Sequence, residues 1–257
     1  MVDLPMSQKE GPRSLVERLE RRFYQRLWQE RAFQWETLRP YRQWALEFLS
    51  PNRSVMLDVG AGGAQDRQRS FRGLAGKVVG IDIDDAVLAN PGLDEAQVFD
   101  GVHIPFPDRS FDVVVSDWTF EHVSAPGPLL QEIARVLKEG GLLVVRTPNL
   151  WHYVSLIARV TPYWFHKLSC RCFLGPGQQP RHTFATFYRL NTGGRIKSAL
   201  SQAGFAQVEL RFIEPPPSYL RFNPLLFLLG VLYERAVNKV SALSCLRHTI
   251  VFRAVKG

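Results

Sequence analysis

The sequence predicts an α/β fold, a mostly parallel sheet flanked by helices, on three observations. Val55, Met56, Leu57 and Val59 make a short, nearly continuous apolar run, as a parallel strand covered on both faces requires, and it stops in the turn Gly60-Ala61-Gly62-Gly63. A second apolar run ends in Asp82, 22 residues after Gly60. Further strand-like segments at 96–99, 111–116, 142–146, 207–213 and 248–255 recur between helical or loop stretches. A chain of 257 residues with 46% hydrophobic content can bury one large core, so residues 1–257 read as a single domain with insertions.

Residues 1–12 carry Pro, Gly and charge without periodicity and read as a loose tail. Ser14 and Glu17 have the spacing of a capping box. Leu15, Leu19, Phe23 and Leu27 then recur at helical spacing, and Phe33, Trp35, Trp44 and Phe48 supply apolar anchors around Pro40. Residues 1–50 are thus a helical extension, either a lid over a substrate mouth or packing against the sheet, with packing favoured.

Gly60 and Gly62 permit positive φ and close backbone approach, so a ligand can sit against the turn and the helix expected after it. Asp58 adds a carboxylate two residues before Gly60, which an amino-acid ammonium would explain better than a pyrophosphate. The nicotinamide pattern wants Gly or Ala where this chain has Gln65. Asp82 stands where a doubly wound sheet places the acid that takes ribose hydroxyls. Residues 84–90 read as a short helix ended by Pro91, and residues 96–99 as a strand leading to Asp100. Ser116 and Asp117 close the strand at 111–116, at the edge where open α/β sheets bind ligands. His122 follows, and a neutral imidazole there could take a proton from a substrate hydroxyl. Residues 126–138 form an amphipathic helix that Gly140-Gly141 turns into the strand at 142–146.

These segments resemble a known family when taken in order: Val-Met-Leu-Asp58-Val-Gly60-Ala61-Gly62, Val-Val-Gly-Ile-Asp82-Ile83, Phe-Asp100-Gly101, the run from Ile104 to Asp117, Glu121-His122, and Arg135 to Asn149. The chain looks like a class I S-adenosylmethionine-dependent methyltransferase of the broad subgroup that acts on small molecules. The resemblance covers about residues 53–150 and returns at 199–205. It implies a Rossmann-like seven-stranded sheet of order 3-2-1-4-5-7-6 with the last strand antiparallel, and S-adenosyl-L-methionine as cofactor. It further implies Asp58, Gly60, Ala61 and Gly62 around the glycine turn, Asp82 on the ribose, and Ile83 over an adenine face. Asp100 and Gly101 would meet the adenine edge, with Ser116 and Asp117 at the end of the fourth strand. Candidate bases are His122, His152 and His182.

Two insertions are where substrate chemistry is expected. The first, residues 149–191, is aromatic and basic: from Gly140 to Val208 there is no Asp or Glu against eight Lys or Arg, so this stretch carries the whole net charge of +8. It suits an acidic or phosphorylated small-molecule acceptor, or an anionic surface. The second, residues 215–247, follows Pro215-Pro216-Pro217 with an apolar helical block that either walls a pocket for an apolar or lipid-linked acceptor, forms a homodimer contact, or lies on a membrane. Burial or dimerisation is favoured. An oxygen acceptor ranks first.

Three cysteines without framework spacing point to a reducing, cytoplasmic location, with peripheral membrane contact left open; Cys170-x-Cys172 lacks metal spacing. The start does not read as a secretory signal, and the apolar run at 224–233 is too short to cross a bilayer. Ser116-Asp117-Trp118-Thr119 differs from the motif of amino-methylating DNA enzymes, which argues against nucleic acid despite the basic charge. The alternatives that remain are a non-catalytic cofactor-binding or regulatory protein, a nucleic-acid methyltransferase and, more remotely, a nicotinamide reductase.

Overall fold

A computed structural model describes residues 15–25, 35–63, 70–160 and 184–257. The helix expected straight after the glycine turn, Leu27, Phe33, His182 and much of the basic insertion lie outside the described residues. Seven strands, β1 (Val55–Val59), β2 (Lys77–Asp82), β3 (Glu95–Val98), β4 (Phe111–Asp117), β5 (Leu137–Pro148), β6 (Phe205–Ile213) and β7 (Thr249–Lys256), form one sheet of order β3-β2-β1-β4-β5-β7-β6. β7 pairs antiparallel with β5 and β6, and every other pairing is parallel. This is the expected topology. The register sets Leu57 beside Val79 and Val114, and the matching apolar rows account for the near-continuous hydrophobic strands at the centre of the sheet.

Helices cover both faces. On one, Leu129, Leu130 and Ile133 of α3 (Pro126–Val136) and Ile196 and Leu200 of α5 (Gly193–Gln202) pack on Leu57, Val114 and Leu143; α4 (Tyr153–Val160) lies between these helices in sequence. On the other, Leu38, Tyr41, Trp44 and Ala45 of α2 (Trp35–Phe48) cover Met56, Val113, Val144 and Val251. α2 runs through Pro40. The first helix, α1 (Leu15–Phe23), joins α6 (Pro224–Lys239) instead, through Val16, Phe227 and Val231. Val16 and Glu20 are its most buried residues, and Leu19 and Phe23 of the expected stripe pack against the same cluster while Leu15 is exposed; Arg221 pairs with the Glu20 carboxylate.

Two local boundaries differ from the sequence reading. Residues Asp85–Ala89 form a single 3-10 turn, begun by Asp84, whose side chain accepts from the Ala86 amide. α3 ends at Val136, and β5 starts at Leu137 because residues 138–141 bulge out of the ladder, with Gly140 at φ +70°.

Candidate active site

The carboxyl ends of β1, β2, β3 and β4 open into a cleft of about 410 Å³ whose lining includes Gly60, Gly62, Asp82, Ile83, Asp100, Gly101, Trp118 and His122. The glycine turn is held from below. Gly60 and Ala61 amides both donate to the Ile81 carbonyl, and the buried Asn90 side chain donates to the carbonyls of Ala61 and Gly62 while accepting from the Gly92 amide. Gly60 sits at φ +80°, and a Cβ there would collide with the Thr119 side chain, so glycine is needed for both conformation and space. Gly62, at φ +60°, has open space where its Cβ would point.

Asp82 is preset by its own backbone. One carboxylate oxygen accepts from the Gly62 amide at 2.9 Å and the other from the Asp84 amide at 3.0 Å. Each oxygen keeps a further lone-pair direction, and the half-exposed carboxylate lines the cleft, an arrangement suited to a pair of neighbouring hydroxyls. Beside it Ile83, Phe99, Val102 and Leu129 form an apolar slot. Asp100 lines this slot, but its carboxylate is engaged by the turn that follows, accepting from the Val102 and His103 amides and pairing with the His103 ring at 2.7 Å. The hydrogen bond from His103 is the main cause that holds Asp100 down at about 2. A ligand edge at this position would find its partners in the backbone around Gly101.

Four other anticipated residues stand outside the cleft lining. Asp58 and Ala61 are buried beneath the turn, and the Asp58 carboxylate lies close enough to Tyr41 to help burial push that phenol up. Ser116 is fully buried and donates to the Val59 carbonyl, locking β4 to β1. Asp117 forms a bidentate pair with the buried Arg146, which also donates to Thr37 of α2. That pair supports Trp118 instead. Arg146 lies over the indole at 5.5 Å, its carbonyl accepts the Trp118 amide, and Trp118 takes up φ +56°, turning its ring into the cleft wall.

His122 is the one candidate base that lines the cleft among the described residues. Its Nδ1 is 3.0 Å from the Ala185 carbonyl, which can only accept, so Nδ1 carries the proton and Nε2 presents the lone pair. The Glu121 carbonyl accepts from the amides of Phe187 and Tyr188, which fixes residues 184–188 against the same turn and places Phe184 edge-on to His122. The Glu121 side chain is buried, with Oε1 4.0 Å from His122 Nε2 and Oε2 accepting from Thr147, and burial raises it to about 7. His152, by contrast, is sealed away from the cleft. Its Nε2 faces Glu214 at 3.2 Å, its Nδ1 accepts from the Val154 amide, and burial lowers it to about 3. Asn90 was not anticipated; a lone Asn before Pro91 carries no sequence signal that it reaches carbonyls 28 and 29 residues away.

The charged groups among the described lining residues are Asp82 and Asp100, with no Lys or Arg. Among the described lining residues these charges suit a nucleoside bearing a positive charge better than a pyrophosphate. Residues 57–145, the span that holds β1 to β5 and these cleft residues, match a sequence model of the family described as "Methyltransferase domain".

Known proteins agree with this methyltransferase assignment. The chain is 37% identical over 103 residues to malonyl-[acyl-carrier protein] O-methyltransferase 1 of Coxiella burnetii, covering 40% of this chain and 36% of the relative. It is 28% identical to the ubiquinone biosynthesis O-methyltransferase of Maricaulis maris, covering 71% and 68%. The chain spans between about a third and a half of the length of the first curated relatives it matches. A solved S-adenosylmethionine-dependent methyltransferase from Archaeoglobus fulgidus shares the fold at TM-score 0.54 and 17% identity, covering 95% of this chain and all of that one. No helix among the described residues is long and apolar enough to cross a membrane, and these residues hold no cluster of His, Cys, Asp or Glu able to bind a metal.

Proposed function

We propose that this protein transfers a methyl group from S-adenosylmethionine to an oxygen of a small-molecule acceptor, with His122 as the proton acceptor. One observation carries the reading: a single cleft has a carboxylate preset for a ribose diol at one end and an imidazole with a free Nε2 lone pair at the other. Asp82 would hold the ribose hydroxyls, the backbone of Gly60 and Gly62 the amino-acid portion, and Ile83, Phe99 and Leu129 the adenine. When bound, the cofactor supplies an electrophilic methyl on a sulfonium, so the protein's task is to orient the acceptor and take its proton; alignment alone is worth up to about 7–11 kcal/mol.

Trp118, Val123 and Phe184 give the acceptor end an apolar, aromatic wall, which favours a flat or greasy acceptor with one ionisable hydroxyl or acid group. The relatives named above are O-methyltransferases, but another, 30% identical, is a ubiquinone/menaquinone biosynthesis C-methyltransferase of Hydrogenovibrio crunogenus, so the choice of oxygen rests on His122. Glu121 lies on the Nε2 side of His122: with Oε1 at 4.0 Å, its ionised form would balance a proton gained by that nitrogen. The anionic, sugar or lipid-linked character of the acceptor, suggested by the basic insertion, belongs to this proposal.

The test is transfer of radiolabelled methyl from S-adenosylmethionine to a panel of phenols, catechols and apolar carboxylates. The expected result is turnover of at least one oxygen acceptor, lowered about 100-fold or more in His122→Gln with cofactor affinity unchanged. Turnover undiminished in that variant contradicts the assignment of His122. Cofactor binding without turnover of any acceptor favours the non-catalytic alternative.

A further inference from the structure

α6 is apolar on two opposite faces. Its inner face, Phe227, Gly230, Val231 and Val237, is buried against α1 and the Pro217 to Leu220 turn. Opposite them stand Leu225, Leu229, Leu232 and Ala236, at i, i+4, i+7 and i+11, which at 100° per residue fall on one stripe. The three leucines are 67%, 52% and 65% exposed, and Phe222 and Val240 extend the stripe at its ends with 58% and 45%. A helix whose outward face meets water carries polar side chains there. This one carries leucine, and the burial expected of the whole block holds for its inner face alone.

We propose that the outward stripe of α6 docks the protein on an anionic phospholipid bilayer, lying flat with its leucines among the acyl chains. The charges around the stripe choose the partner. Arg235 and Lys239 fall within about 90° of the stripe on one flank by the same 100° spacing, and Arg18 and Arg22 are exposed on α1, which packs against α6. Glu234, the one acid of α6, is turned inward, where it accepts from the Tyr24 hydroxyl. Glu20 of α1 is buried under Arg221. An apolar stripe edged by cations matches the interface of an anionic bilayer, where leucines enter the acyl boundary and arginines meet headgroups. A second copy matches it poorly: with Glu234 turned inward, a copy would bring Arg235 and Lys239 no acid of α6 to meet. At 16 residues α6 is too short to span a bilayer, which leaves the flat orientation. The inference stands independently of the acceptor and of His122.

Flotation of the full chain with vesicles of phosphatidylcholine, with and without about a third phosphatidylglycerol, tests it. We expect at least about tenfold more protein on the anionic vesicles, falling as salt is raised. Leu225→Glu/Leu229→Glu/Leu232→Glu should lose about tenfold of that binding with S-adenosylhomocysteine affinity intact. Hydrogen exchange of the wild type should show protection on vesicles confined to residues 222–240, a readout that holds even if the triple variant folds poorly. No vesicle binding by wild type, undiminished binding by a folded triple variant, or protection elsewhere overturns the proposal. So does a wild-type dimer in light scattering that the triple variant dissolves without any vesicle binding.

Discussion

At the proposed nucleoside end of the cleft the polar groups are held within one unit, β1, β2 and the turns that follow them. Asp82 takes amides from Gly62 and Asp84, and Asn90 closes the same loop from eight residues further on. At the proposed acceptor end the contacts come from outside that unit: His122 is held by Ala185, 63 residues away and beyond β5, and Trp118 by Arg146 of β5. The first end is therefore set as soon as β1 and β2 pair, whatever the acceptor is. The second depends on how the chain after β5 folds back, so one fold can keep its cofactor while changing its substrate.

That division can be broken most sharply at Asp82. Asp82→Ala should weaken S-adenosylmethionine and S-adenosylhomocysteine binding by roughly two to four orders of magnitude, the worth of two charge-assisted hydrogen bonds at about 1.5–3 kcal/mol each. Titration calorimetry measures it. The complementary change, His122→Gln, should leave that affinity within about twofold and lower kcat by roughly 10²–10⁴ on any oxygen acceptor that turns over.

A smaller effect separates the buried acid beside His122. Burial raises Glu121 from 4.5 to about 7, so its contribution is fully present below about pH 4.5 and is lost as pH rises through 7. Glu214, raised to about 8 by burial, follows the same sign, while His152 and His248, lowered to about 3, work against folding as pH falls below about 6.5. The informative quantity is thus a difference. Glu121→Gln should gain about 1–3 kcal/mol over wild type between pH 5 and pH 8, read as melting temperatures that diverge with rising pH. Least in size, Asn90→Ala should cost about 1–2 kcal/mol of stability, because it strips the carbonyls of Ala61 and Gly62 of their donor. Differential scanning calorimetry would show a melting temperature lower by several degrees, with cofactor affinity falling more than the rate on bound acceptor.

The same division explains what could be read in the sequence. Gly60 and Asp82 were legible because a turn at positive φ and an acid closing the next strand are local requirements that leave residue types at fixed places. The apolar runs marked the strands, and their order came only from what the resemblance implied. Burial by distant parts was not legible. Nothing in Asp58, Ser116 or Asp117 tells whether the side chain meets a ligand or, as with Ser116, the carbonyl of the adjacent strand. His152 and His122 look alike in sequence, yet one faces the cleft and the other is enclosed by Glu214, Tyr153 and Tyr233. Leu19 and Phe23 of the α1 stripe do face inward, but that their partner is α6, with Arg221 over Glu20, was not legible, because a helical period cannot name the surface a helix will meet.

The most direct measurement is calorimetric titration of S-adenosylhomocysteine into wild type, Asp82→Ala and His122→Gln, with NADH as the control ligand. A cleft with separate cofactor and acceptor ends predicts tight binding by wild type and His122→Gln alike, collapse in Asp82→Ala and silence with NADH. Equal binding by Asp82→Ala and wild type, or NADH binding in place of the sulfur ligand, would contradict it.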